Sequence, residues 1–339
     1  MTPVRNARVL FKGHIEPQGY PDPNKTIAYN DPQTLDLENT PLNGGFLTKT
    51  LTLSVEPHVF GRMRRNSGAP YTVGSPIASY GVCVVLRTET DEVKVGDHLY
   101  GDLAHEEYSI RASLGDLLVL DNNTTYRSPD LMDEGQVAYT GWKEFAKPKN
   151  DDVVYVTTGG GPIGSCAEFV IQLAKADGLK VIGSAGSDEK VAFMKELGAD
   201  VAFNYKTTDV RDILSKEGPI DIFWDHVGGE TLEAALDHAK VGARFVECGM
   251  ISGYFNGGAS VRNLMQIVTK DITIRGFIFI RTFDKYREEF YAVVPEKISK
   301  GEIKYKEEVT HGLDKVGDVL LGVLKGENKA KAVIRVADD

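Results

Sequence analysis

The residues most able to do chemistry sit in one short run, TTGGGPIGS, from Thr157 to Ser165. Within it Gly159, Gly161 and Gly164 carry the spacing G-x-G-x-x-G. In a chain with 35 glycines that pattern is weak alone. Its context strengthens it. DVVYVT before it reads as a strand, and after it Cys166, Phe169, Val170, Leu173 and Ala174 share one helical face. In that setting Gly159 serves the tight turn and Gly161 admits the backbone to a pyrophosphate. Gly164 lets the helix pack on the sheet, and the helix N–H groups meet the anion. Pro162 fits the first turn, where a missing N–H breaks no intrahelical bond. The spacing predicts a dinucleotide site; the plain alternative is a tight strand–helix turn.

The choice of dinucleotide turns on a missing residue. An NAD site places Asp or Glu about 20 residues further on, at the end of the second strand, to bind the ribose 2′-hydroxyl. Here that place reads VIGSAGSDEK, so Gly183, Ser184, Ala185 and Gly186 stand where the acid should be. Asp188 and Glu189 belong to the following helix. A pocket without a carboxylate does not repel a 2′-phosphate. Lys190 can reach such a phosphate, with Ser187 and Tyr205 as hydroxyl donors, and the expected cofactor is NADPH/NADP+.

The elements that must position these residues follow from periodicity. Up to about residue 125 the chain is short-stranded and turn-rich: FLTKTLTLSVEP, YGVCVVLRT, GDHLYG and DLLVL alternate with PLNGG, NSGAP and VGSP. After about Pro129 apolar runs alternate with amphipathic helices: DVVYVT, LKVIGSA, DVAFNY, IDIFWD, ARFVECG and ITIRGFIFI. Strands covered on both faces by helical crossovers imply a doubly wound parallel α/β sheet. In SDEKVAFMKELGAD, Ser187 caps the helix, acids follow in its first turn and Gly198 ends it. The tail is helical, then extended, helical again and finally the strand KAVIRV, which suggests that it rejoins the β-rich start. The reading is a β-rich domain over 1–128 and 300–339 around a dinucleotide domain over 129–299.

Composition narrows the function. With 42% hydrophobic and 26% charged residues the 339-residue chain is of the soluble globular type. No apolar run approaches the roughly 18 residues of a membrane span. A net charge of −10 argues against nucleic acid as a partner. GRMRR, residues 61 to 65, is a local basic cluster that reads as a solvated loop or as attraction for an anionic ligand. The opening residues lack the apolar core of a secretion signal, and Cys83, Cys166 and Cys248 are too scattered for a disulfide framework. A cytoplasmic setting is expected. No C-x-x-C occurs, and the seven histidines form no H-E-x-x-H, so no metal is expected.

Taken together, GPIGS, GSAGSDEKVAFMKELGADVAFNYK, WDHVGGETLEAAL, CGMISGYFN and LKGENKAKAVIRV resemble the medium-chain dehydrogenase/reductase superfamily. The likeness is to its zinc-independent branch of prostaglandin reductases and alkenal double-bond reductases, and it runs nearly end to end. The resemblance implies a GroES-like catalytic domain built from both chain ends around a Rossmann domain, with NADPH in the cleft. It places Lys190 and Tyr205 at the 2′-phosphate. Cys248, Gly249, Phe277 and Phe279 fall at the nicotinamide, Asn328 near the cofactor phosphates, and Tyr254 in the substrate pocket. Two departures stand out. His58 replaces a pocket tyrosine in Glu56–Pro57–His58–Val59, and His226 replaces an asparagine in Asp225–His226–Val227–Gly228–Gly229.

Without a metal, the expected reaction is hydride addition to the β-carbon of a conjugated enone, whose charge spreads to the carbonyl oxygen. Tyr254 is the expected catalytic donor to that oxygen, and Tyr254 or water the proton source at the α-carbon. His58, Tyr71 and Tyr80 are candidates for the pocket of a small lipophilic enone or alkenal. A quinone reductase of the same fold and a non-catalytic NADPH-binding protein are the alternatives. The apolar run ITIRGFIFI as an exposed edge strand suggests a homodimer.

Overall fold

The computed structural model describes residues 3–15, 19–65, 67–120, 129–159, 164–255, 258 and 260–339. It divides into two compact units. One comprises Met1–Met132, Glu307–Asn328 and Ala332–Asp339; the other comprises Asp133–Lys306 and Lys329–Lys331.

In the first unit, turns cut the chain into antiparallel strands. β1 (Val4–Arg5), β2 (Arg8–Phe11), β3 (Ile27–Asn30) and β4 (Thr34–Leu35) make two small ladders, β1 with β4 and β2 with β3. β5 (Phe46–Ser54), α1 (Pro57–Arg62), β6 (Ala78–Thr88), β7 (His98–Ala104), β8 (Tyr108–Arg111) and β9 (Leu118–Leu120) follow. α1 starts on Pro57, where the missing N–H costs nothing. β5 is buried along nearly its whole length and pairs with both β6 and β8. Register shifts at Leu47/Thr48 and Thr50/Thr52 interrupt its ladder with β6, and such bulges bend a strand locally.

The second unit alternates as the periodicity predicts. α2 (Pro129–Gly141) runs into a single π-turn, Trp142–Ala146. β10 (Val153–Val156), α3 (Gly164–Ala176), β11 (Lys180–Ala185), α4 (Asp188–Glu196), β12 (Val201–Asn204) and α5 (Val210–Glu217) form the first half. β13 (Ile220–Asp225), α6 (Gly229–Asp237), β14 (Ala239–Glu247), α7 (Met265–Thr269), β15 (Thr273–Gly276) and α8 (Arg287–Ser299) complete it. All six strands are parallel, in the order β12-β11-β10-β13-β14-β15. That is the doubly wound order, in which the chain reverses its direction of travel between β10 and β13. Every residue of β13 is buried, as a strand covered by helices on both faces requires. Phe223 at its centre stacks on Tyr155 at 5.2 Å and meets Phe245 edge-on at 5.0 Å.

α4 has the ends read from its sequence. The Ser187 hydroxyl accepts the Lys190 N–H at 3.4 Å, Asp188 and Glu189 occupy the first turn, and Gly198 takes a φ of +106° just past the end. The last strand differs from expectation. Of the run ITIRGFIFI only Thr273–Gly276 pairs with β14. Phe277 leaves the ladder to pack against Phe145 at 5.2 Å and Trp224 at 6.0 Å, and Phe279–Arg281 forms a 3₁₀ turn. The strand thus ends at Gly276, where Phe277 turns into contact with Phe145 and Trp224.

The tail returns as β16 (Glu307–His311), α9 (Val316–Lys325) and β17 (Lys331–Arg335). β17 lies beside β5, so the first unit's sheet runs β16-β17-β5-β6-β7-β9. Among the described residues no helix is long and apolar enough to cross a membrane.

Candidate functional site

The carboxyl ends of β10, β11, β13 and β14 gather most of the residues singled out in the second unit. After β10 the left-handed conformation falls on Thr158, with a φ of +60°, while Gly159 has none. Gly159 is needed for a different reason from the turn expected of it. A Cβ there would collide with the Met194 side chain, and one on Gly183 would stand 3.0 Å from the same sulfur. Met194 of α4 is fully buried and wedges between the ends of β10 and β11. The Gly159 N–H donates to the Ser184 carbonyl at 3.1 Å and ties the loop to β11. Gly161 lies outside the described residues; Gly164 opens α3.

At the end of β11 the place of an acid is taken by Ala185 and Gly186. The Tyr205 hydroxyl closes on Gly186, 2.9 Å from where a Cβ would be, and Lys206 Cε would be 3.4 Å from it. The nearby acids are engaged elsewhere. Asp188 accepts from Asn204 Nδ2 at 2.9 Å, and Glu189 lies 3.7 Å from Lys329 Nζ. Tyr205 and Lys206 thus lie against a strand end without a carboxylate, and Ser187 and Lys190 stand at the cap and in the first turn of the helix that follows it. Such a set fits a 2′-phosphate, which wants cations and hydroxyl donors. Lys206 escaped the sequence reading, although its place beside Tyr205 was the available signal.

The ends of β13 and β14 are held by one carboxylate and its own carbonyl. Asp225 is buried, and its side chain accepts N–H groups from Val227 at 2.7 Å and Gly228 at 2.9 Å. Its carbonyl accepts from Cys248 at 2.9 Å and Gly249 at 3.1 Å. Gly228 takes a φ of +71°, which permits the turn into α6. Glu247 faces Asp225 across the ladder. Burial, and then the Asp225 charge, push its carboxyl up to about 9, so it is protonated at neutral pH. The Tyr254 hydroxyl lies over the turn, 3.9 Å from where a Cβ on Gly249 would stand. Phe277 fills the space beside Trp224 and Gly141, and Phe279 meets Phe283 at 6.0 Å.

A second cluster lies beneath this turn. Ligand atoms of Cys166, His226 and Cys248 all come within 4.8 Å of one another. A hydrogen bond from the Cys166 thiol holds the Cys248 sulfur below the ordinary thiol range, against the effect of burial. Sequence spacing gave no sign of this cluster, because its members come from three separate elements.

In the first unit, His58 and Tyr80 are neighbours. His58 Nδ1 lies 2.8 Å from the buried Glu56 carboxylate, and its ring meets Tyr80 edge-on at 6.2 Å. Tyr80 stacks on Tyr100 at 5.6 Å. Tyr71 is placed differently. Its ring is buried, its hydroxyl donates to the Ala78 carbonyl at 2.5 Å, and Arg62 lies over its face at 4.4 Å. Those contacts give Tyr71 a packing role in this unit. Asn328 is buried just after the Gly326 cap of α9.

A parallel 3-2-1-4-5-6 sheet whose second strand ends without an acid is the arrangement of a dinucleotide-binding domain. Comparison with known proteins agrees. The family model described as zinc-binding dehydrogenase matches residues 162–297, and that described as the N-terminal domain of oxidoreductase matches residues 15–117. A zinc-type alcohol dehydrogenase-like protein of Schizosaccharomyces pombe is 34% identical, over 99% of this chain and 100% of that protein. The NADP(+)-dependent 2-alkenal reductase of Nicotiana tabacum is 34% identical over 98% of each chain. The crystal structure of CurA from Vibrio vulnificus in complex with NADPH superposes with a TM-score of 0.86 at 26% identity, covering 98% of this chain and 100% of that one. The chain belongs to the medium-chain dehydrogenase/reductase superfamily, in its zinc-independent alkenal reductase branch.

Proposed function

We propose that this protein uses NADPH to reduce the C=C bond of α,β-unsaturated aldehydes and ketones. The observation that carries the reading is the Tyr254 hydroxyl over the Cys248–Gly249 turn, at the same carboxyl edge of the sheet as the acid-free end of β11. Gly159, Gly161 and Gly164 would hold the cofactor's pyrophosphate, and Ser187, Lys190, Tyr205 and Lys206 its 2′-phosphate. Asn328 would act near the phosphates, and Cys248, Gly249, Phe277 and Phe279 at the nicotinamide. When bound, NADPH supplies the hydride, which goes to the β-carbon of the substrate.

The chain's own task is to orient the enone and stabilise the charge that develops on its carbonyl oxygen. The Tyr254 O–H donates to that oxygen, and a preorganised donor gains strength where water is excluded. Protonation at the α-carbon follows, from the Tyr254 hydroxyl or from water. His58 and Tyr80 are the first unit's candidates for recognising a small lipophilic substrate. In this reading that unit, built from both chain ends, is the GroES-like catalytic domain.

A Tyr254→Phe variant should keep its NADPH affinity and lose about 10- to 1000-fold in kcat/KM on an enone, the range for removal of one oxyanion donor. Unchanged turnover would remove Tyr254 from the mechanism. Faster NADPH oxidation with quinones than with any enone would favour the quinone reductase alternative. NADPH binding with no turnover of enone, quinone or aldehyde would favour a binding protein.

The assembly we propose is a cytoplasmic homodimer. β15 is an edge of its sheet, and Met265, Val268, Ile278 and Ile280 are exposed on α7 and just beyond β15. A monomeric mass by light scattering at micromolar concentration would contradict it.

A further inference from the structure

We propose that Cys166, His226 and Cys248 form a three-ligand site for one thiophilic divalent cation of the zinc or cadmium kind. The case rests on where the fold puts three side chains that the reduction chemistry does not call for together.

Cys166 lies in the first turn of α3, His226 directly follows β13, and Cys248 directly follows β14. Their donor atoms lie within 4.8 Å of one another. Around a tetrahedral zinc, with bonds of about 2.3 Å to sulfur and 2.0 Å to nitrogen, neighbouring donors stand roughly 3.4–3.8 Å apart. The donors therefore stand no more than about 1.4 Å outside tetrahedral spacing. The backbone is already fixed: His226 N–H donates to Thr157 Oγ1 at 2.9 Å, and Cys248 N–H to the Asp225 carbonyl at 2.9 Å. The His226 carbonyl accepts from Ile251 at 2.9 Å.

The imidazole is oriented as metal-binding imidazoles are. Nδ1 faces the Thr157 carbonyl at 3.4 Å, so it carries the proton and leaves the lone pair on Nε2. Trp224 Nε1–H caps that lone pair with a long contact of 3.3 Å, which a cation would replace. Two sulfurs and one imidazole select soft or borderline cations over magnesium and calcium. Cys166 and His226 are buried, and Cys248 is half-buried. Three protein ligands leave a fourth position open. A bound cation would tie α3 to the ends of β13 and β14 and stabilise the second unit by mass action.

The probe is cobalt(II), added to the untagged, reduced full-length chain. One equivalent should give intense visible bands of tetrahedral cobalt together with thiolate-to-cobalt charge transfer, and one equivalent of zinc should erase them. Zinc should also raise the thermal midpoint, whereas magnesium should not. Cys166→Val, His226→Asn and Cys248→Ser should each weaken or abolish the charge-transfer band, and Cys83→Ser should retain it. Absence of charge transfer from the wild-type chain at stoichiometric cobalt would overturn the proposal, and that result does not depend on any variant folding. An undiminished band in Cys166→Val would overturn it equally.

Discussion

Gly159→Ala is the perturbation that most sharply separates the structural account of the glycine turn from the general one. By spacing alone Gly159 is a turn glycine, and alanine there should fail for want of a left-handed φ. In the structure the left-handed residue is Thr158, and what forbids a Cβ at 159 is the Met194 side chain. Met194 is fully buried and its sulfur also lies against Gly183, so moving it aside disturbs a packed site. Overpacking of a well-packed site costs about 1–3 kcal/mol. At about 1.4 kcal/mol per factor of ten, that equals roughly 5- to 150-fold in an equilibrium constant. A shift of residue 159 away from Met194 would relieve the strain, so the cost should appear mainly in NADPH affinity, read by cofactor fluorescence. Met194→Ala alone opens a cavity, at about 2–5 kcal/mol of stability. In the double variant the new methyl fills part of that cavity, and the two costs should fall well short of additive. Strict additivity in both affinity and stability would refute the Met194 wedge and return Gly159 to a turn role.

Two other outcomes follow from particular residues. Lys206→Ala and Lys190→Ala should each weaken NADPH by about 10- to 100-fold, the worth of a charge-assisted hydrogen bond, while leaving NADH nearly unchanged; equal losses for both cofactors would show that these lysines do not read the 2′-phosphate. His105 is buried, with Nε2 2.8 Å from Ser79 Oγ, and burial lowers it from an ordinary 6.5 to about 3. It stays neutral when folded and protonates when unfolded, so its share of stability is complete above pH 6.5 and is lost as pH falls towards 3. Linkage gives about 2 kcal/mol lost between pH 7 and pH 5, and a His105→Gln chain in urea should show a correspondingly shallower acid slope; an unchanged slope would assign the acid loss to other groups.

Much of this was legible because it was local. In β13 the consecutive Ile222, Phe223 and Trp224 put apolar side chains on both faces, as a strand covered on both sides requires, and Ser187 with its following acids is a helix start by chemistry alone. The cofactor class was legible from an absence, since no carboxylate stands at the end of β11 itself, where Ala185 and Gly186 take its place. What escaped was set by partners distant in sequence. The strand in ITIRGFIFI stops at Gly276, where Phe277 turns into contact with Phe145 and Trp224. Tyr71 looked like a pocket residue until Ala78 claimed its hydroxyl. Gly159 has its constraint from Met194, on a helix that follows the next strand. The cluster of Cys166, His226 and Cys248 could not be foreseen, because three elements contribute one residue each and only the parallel strand order brings them together.

The central claim is that hydride from NADPH arrives at the β-carbon of a conjugated carbonyl compound. It is tested most directly by following deuterium from 4-deuterated NADPH into the product of a simple 2-alkenal. The account predicts a saturated aldehyde with one deuterium on the β-carbon and none on the carbonyl carbon. An allylic alcohol labelled at the carbonyl carbon would contradict it.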